Sequence, residues 1–140
     1  MQEQTTQYAM TRQIRTSFTE AVQQTRQALA DQGFGIITEI DMMQTFKAKR
    51  GIDYHPYVIL GACNPDVAHR ALEIDQDIGL LLPCNVVIRE DADATGSVVV
   101  EAIDPVVQLG VTGNPQLIPH AEEIRRRLVD ALDAATAAMT

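Results

Sequence analysis

Two cysteines, each followed by asparagine, are the residues of this chain best suited to chemistry. Cys63-Asn64-Pro65 closes one apolar run, and Pro83-Cys84-Asn85 lies within a second. They are the only cysteines in the sequence. If the two runs are neighbouring antiparallel strands, the end of the first lies beside the start of the second. Strands ~4.8 Å apart bring Cα atoms within the roughly 4.4–6.8 Å that a disulfide needs. Cys63 also precedes a helix start: Asn64 is a good N-cap, and Pro65 suits the first helical position, where its missing N–H costs nothing. The positive end of that helix favours a thiolate at Cys63. The first expectation is therefore a reactive or redox thiol at Cys63, with Cys84 as its partner.

Two other chemistries use the same residues. A soft-metal site would take Cys63 and Cys84 as ligands, with His69, His55 or Glu39 completing the set, although the close C-x2-C pairs typical of zinc sites are absent. A non-enzymatic ligand-binding or dimerisation module would use Glu39, Asp41, Asn64 and Asn85 to line a polar pocket at one end of a sheet. Glu39 and Asp41 are spaced for an acid/base pair, yet Asp41 also reads as a helix cap, as does Asn64. Asn85 has no such local explanation. Unpaired cysteine is among the most buried residue types, so inert packing thiols belong to this alternative. No G-x-G-x-x-G, Walker or G-x-S-x-G pattern is present.

Residues 7–15 alternate loosely, with Tyr8, Met10 and Ile14 on one side, and suggest a strand. Ser17-Phe18-Thr19-Glu20 is a capping box. Phe18, Val22, Thr25 and Leu29 then mark one helical face that ends at Gly33. Phe34, Ile36, Thr38 and Ile40 share one face of the next strand. Asp41 caps a short helix that stops at Gly51, with Met42, Met43 and Phe46 expected inward. In residues 57–63 both faces are apolar, which predicts an interior strand. Val67, Ala68, Ala71 and Leu72 stripe the helix after Asn64.

Leu80 to Arg89 reads as one long strand, in which Pro83 implies a sheet edge or a bulge. A polar hairpin at 90–97 leads to a last strand that ends at Asp104-Pro105, followed by a glycine-containing linker. A final helix carries Ala121, Ile124, Leu128, Ala131 and Ala135 on one stripe. Gly35 and Gly61 mark places where another group approaches the backbone closely.

The chain has 140 residues, enough for one domain with a real core. Residues 1–6 and about 136–140 are expected to fray. Lys and Arg number 11 against 19 Asp and Glu, a formal net charge of −8. That balance opposes phosphate-backbone contact, and 4% aromatics leave little for base stacking. Nucleic acid is therefore not an expected partner. No apolar run reaches the ~20 residues of a membrane span. The first ten residues have neither the basic nor the apolar region of a signal peptide. A cytoplasmic location with reduced cysteines follows as an expectation.

Taken together, these segments resemble the domain-of-unknown-function 302 family. The resemblance rests on GFGIITEID, FKAKRGIDY, YVILGACNP, AHRALE, GLLLPCNVVIRE and VEAIDP, and runs from about Tyr8 to the last helix. It implies an α+β fold of TATA-box-binding-protein-like β-α-β4-α arrangement, with a single antiparallel-rich sheet, one unit per chain and often a homodimer. Glu39, Asp41, Cys63, Asn64, Pro65, Pro83, Cys84 and Asn85 are the positions that match the family's motifs. The resemblance implies no established activity. An association with sulfur-handling proteins fits a thiol role or a small-molecule ligand.

Overall fold

The structure, a computed structural model, describes residues 2–140, with side chains described from Thr6 onward. Its strands are β1 (Gln2–Thr6), β2 (Ala9–Arg15), β3 (Gly35–Asp41), β4 (Tyr57–Cys63), β5 (Cys84–Glu90) and β6 (Ser97–Ile103). They form one antiparallel sheet in the order β1-β2-β6-β5-β4-β3. Its helices are α1 (Phe18–Asp31), α2 (Met42–Arg50), α3 (Pro65–Ile74), α4 (Pro105–Gly110) and α5 (Ile118–Met139), with 3-10 turns at Gln76–Leu81 and Pro115–Leu117. β2, α1, β3 to β6 and α5 compose the expected β-α-β4-α frame of an α+β domain.

The pleat of the strands decides which residues meet the helices. One row across the sheet is Met10, Ala102, Val86 and Leu60, and the next is Arg12, Val100, Ile88 and Val58. Their apolar members are buried in one core with Ala21, Ala28 and Leu29 of α1 and with Ile124, Leu128, Ala131, Leu132 and Ala135 of α5. Each large side chain fully buried there contributes roughly 1.5–3 kcal/mol. Arg12 is the buried cation in this layer, and it donates to Asp133 on α5 at 3.1 Å. A second, smaller core joins Ala71 of α3, Ile78 of the first 3-10 turn, Leu109 of α4, Leu117 of the second 3-10 turn and Ala121 of α5.

Helix starts follow the local chemistry. Ser17 accepts from the Glu20 amide at 3.1 Å, Asp41 from Gln44 at 2.9 Å and Asn64 from Val67 at 3.2 Å. The second half of the expected capping box is replaced, because the Glu20 carboxylate takes the Gln24 side-chain amide at 3.0 Å.

Several expectations change. Residues 80–82 are not strand: Gln76–Leu81 turns in a 3-10 helix and β5 begins only at Cys84. Pro83 therefore stands just outside the ladder and needs neither an edge nor a bulge. The bulge lies in β3, where Ile36 pairs with Ala62 and Thr38 with Gly61, leaving Ile37 as the extra residue. Phe34 and Ile36 thus share a face, whereas Thr38 and Ile40 turn to the other. Helix α2 buries none of its residues, so Met42, Met43 and Phe46 are not core. Phe46 instead meets Tyr54 edge-on, with ring centroids 5.1 Å apart. The presumed linker after Asp104 contains α4. Gln2–Thr6, expected to fray, pairs along β2, and α5 continues to Met139.

Candidate functional site

The seam between the two cores holds a cavity of about 260 Å³ at the ends of β4 and β5. Its wall mixes main-core residues such as Phe34, Ala62, Val67 and Ile124 with small-core residues such as Ala71 and Leu109. Cys63, Asn64, Pro83, Cys84, Gln108 and His120 also line it. The seam exists because α3 and α4 pack on the 3-10 turn and the start of α5, while the sheet packs on α1 and the body of α5.

Both cysteines reach this cavity, and both are free. Cys84 pairs with Ala62 in the ladder, on the helix side of the sheet. Cys63 is the next residue along β4, so the pleat turns its side chain the other way. Cys84 is 7% exposed, and its thiol donates to Gln108 Oε1 at 3.5 Å. Burial, with a smaller contribution from a charged Cys63, pushes the Cys84 thiol up to about 12. Burial also raises Cys63. This is opposite to the lowering expected from the start of α3, because desolvation disfavours the charged form. Both sulfurs are protonated thiols at neutral pH.

Gln108 organises the floor. Its Nε2 donates to the carbonyls of Leu81 and Pro83, the latter at 3.2 Å, while its Oε1 takes the Cys84 thiol. One side chain from α4 thus ties down the segment that enters β5. Across the ladder Gly61 plays a complementary role. A Cβ there would overlap the Thr38 hydroxyl and come within 2.9 Å of Pro83 Cγ, so only glycine lets those two side chains close over β4. This agrees with the close approach expected at Gly61.

The remaining candidates are dispersed. Asn64 lines the cavity and is 7% exposed. Asn85 is exposed and faces Gly61 in the ladder, outside the cavity wall. Glu39 pairs with Arg26 of α1, and Asp41 is occupied as the cap of α2. Neither belongs to the cavity wall. The metal-ligand set does not assemble. His69 meets Glu73 at 3.5 Å on the exposed side of α3, and His55 stacks on Tyr54 with centroids 4.1 Å apart. Among the described residues no group of three or more His, Cys, Asp or Glu is placed to hold a metal ion.

Gln108 and His120 are the site residues that the sequence reading missed. A signal for α4 was present: Asp104-Pro105 repeats the cap-then-proline pattern of Asn64-Pro65, and Asp104 accepts from Val106 at 2.9 Å. His120 gives no such signal, because only the packing of α5 brings it to the cavity.

The fold and site together define a small α+β domain with a largely apolar cavity lined by two free thiols whose protonated form burial favours. Residues 10–135 match the family described as "Domain of unknown function DUF302", and the chain belongs to that family. It is also similar to the crystal structure of an uncharacterized conserved DUF302 protein from Bacillus stearothermophilus. That likeness has a TM-score of 0.84 and 27% identity over 93% of this chain and 99% of the other. No curated protein matches the chain. Among the described residues, no helix is long and apolar enough to cross a membrane.

Proposed function

We propose that this protein is a non-enzymatic binding module for a small apolar molecule, with its cysteines serving as lining and packing groups. The cavity of about 260 Å³ carries this reading. Its walls are mainly aliphatic, and the Gln108 amide is already committed to Leu81, Pro83 and Cys84. An apolar cavity of ~150 Å³ stays dry and binds benzene. By that ratio this one has room for about ten non-hydrogen atoms. Redox, sulfur-handling and metal readings are weaker, since the raised thiols supply little thiolate and the expected ligands His55, His69 and Glu39 lie elsewhere.

Calorimetric titration with 1-octanol tests the reading. The wild-type protein should bind it with a dissociation constant below about 1 mM. Ala68→Trp, which fills the cavity from α3, should abolish the heat while leaving the protein folded. No binding to the wild-type protein overturns the proposal.

Assembly as a homodimer belongs to the same reading. The sheet face opposite α1 and α5 carries Ile40, 46% exposed, beside half-buried Ile59 and Val87. These three stand in one row across β3, β4 and β5 and supply an apolar strip for a second copy. Sedimentation equilibrium should give twice the chain mass, and Ile40→Glu should halve it; a wild-type monomer refutes this part. Free thiols suit a reducing compartment such as the cytoplasm.

A further inference from the structure

One residue of the cavity wall belongs equally to the protein surface. Ile37 is 60% exposed, whereas every other residue of the wall is buried or half-buried. The cavity therefore meets solvent at Ile37, with half-buried Cys63 and Pro83 in the same wall.

The bulge in β3 is what puts Ile37 there. In a regular strand successive side chains face opposite sides of the sheet. Ile37 would then point away from Ile36, which packs against the main core. Because Ile36 pairs with Ala62 and Thr38 with Gly61, Ile37 has no partner of its own in β4 and leaves that alternation. Bulges re-aim side chains in this way. The next residue fixes the distortion: the Thr38 hydroxyl fills the space that a Cβ of Gly61 would need, and Pro83 Cγ closes on the same point. The bulge is thus anchored against the segment that enters β5.

The far end of the wall differs. There α4 contributes Pro105, Leu109 and Gln108, and the Gln108 amide is already bonded to Leu81, Pro83 and Cys84. β3 is the outer strand and β5 lies two strands in, ~10 Å away. The wall therefore runs from an exposed aliphatic residue at the sheet edge, across β4, to a dry apolar end at α4. A polar head buried at that end would lose its water without gaining a partner, which is costly.

Building on the binding reading above, we infer that the ligand is a single-chain amphiphile bound tail inward and head outward, with Ile37 at the entry. The alkyl tail runs across β4 toward Leu109. The head stays in water beside Ile37, whose exposed side chain covers the first carbons of the tail. The site thus reads the chain and not the head group.

The test compares 1-octanol, octanoate and octylammonium by calorimetry on the full chain. The wild-type protein should bind all three within about fivefold of one another, because the head remains hydrated and screened. A charge placed at the entry should then sort the charged heads. Ile37→Asp should raise the octylammonium-to-octanoate affinity ratio by about threefold or more at low salt, and Ile37→Lys should lower it by as much. Both should keep 1-octanol within about twofold, which shows that each variant is folded with its cavity intact. Val111→Asp is the control: Val111 is 76% exposed and ends α4, so a charge there lies at the tail end and should leave the ratio unchanged. Suppose 1-octanol binds the wild-type protein but a charged head costs more than tenfold, or Ile37→Asp and Ile37→Lys leave the ratio unmoved, or Val111→Asp moves it as much. The entry inference then falls and the apolar-cavity reading stands. If none of the three probes binds the wild-type protein, both fall.

Discussion

Raising the pH should destabilise this protein through Cys84, over a window set by its burial. The thiol is 7% exposed and donates to Gln108, and burial moves it from an ordinary 9.0 to about 12. Two quantities follow. At pH 8 the thiolate fraction is about 10⁻⁴ rather than about 10⁻¹, so a chromogenic disulfide reagent should meet roughly a thousandfold less nucleophile at native Cys84 than at an unfolded cysteine. The folded state also holds this proton more tightly than the unfolded chain does. Its contribution to stability is therefore complete below about pH 9 and is lost as pH rises toward 12.

At pH 10.5 the loss is about 1.5 × 1.36, or ~2 kcal/mol. Other groups titrate in this range, so urea unfolding of the wild-type protein should be compared with Cys84→Ala at matched pH. The difference between the two curves isolates the thiol: it should be constant from pH 7 to 8.5 and shrink by about 2 kcal/mol by pH 10.5. Parallel curves throughout, or native Cys84 reacting as fast as a free thiol, would refute the burial argument.

Three further outcomes follow from the same geometry. Gln108→Ala removes bonds to Leu81, Pro83 and Cys84. It should cost about 2–3 kcal/mol in urea unfolding and speed the reaction of Cys84 with the reagent; an unchanged midpoint and rate would contradict the clamp. Gly61→Val drives a branched side chain into Thr38 and Pro83, and should lower stability by about 1–3 kcal/mol or more; thermal unfolding at the wild-type temperature would count against that close approach. Arg26→Ala breaks an ion pair between half-exposed partners at Glu39 and should cost less than about 1 kcal/mol. A loss of ligand binding in that variant would bring Glu39 back into the site.

What was legible in the sequence is what depends on neighbours along the chain. Ser17, Asp41 and Asn64 cap helices because each oxygen reaches an amide three residues on. The stripe from Ala121 to Ala135 is buried because helical period alone puts those residues on one face. The interior position of β4 follows from its two apolar faces.

What was not legible depends on elements far apart in sequence. The bulge at Ile37 is a matter of register against β4, and it reverses the phase of Thr38 and Ile40. The apolar letters of Leu80–Leu82 suit a strand, but residues 76–81 pack as a 3-10 turn on α3 and α4. The two Cys-Asn pairs drew attention to the right corner of the sheet for an incomplete reason. Their thiols line the corner, yet its shape also comes from α4 and α5, which bring Gln108 and His120 to the same wall as Asn64.

The central claim is that this corner takes up an apolar molecule, and a crystal grown with 1-octanol tests it most directly. The account predicts electron density for the alkyl chain between Val67, Ala71 and Leu109, with both cysteines reduced. An empty cavity in a crystal grown at saturating 1-octanol, or octanol bound only on the open sheet face, would contradict it.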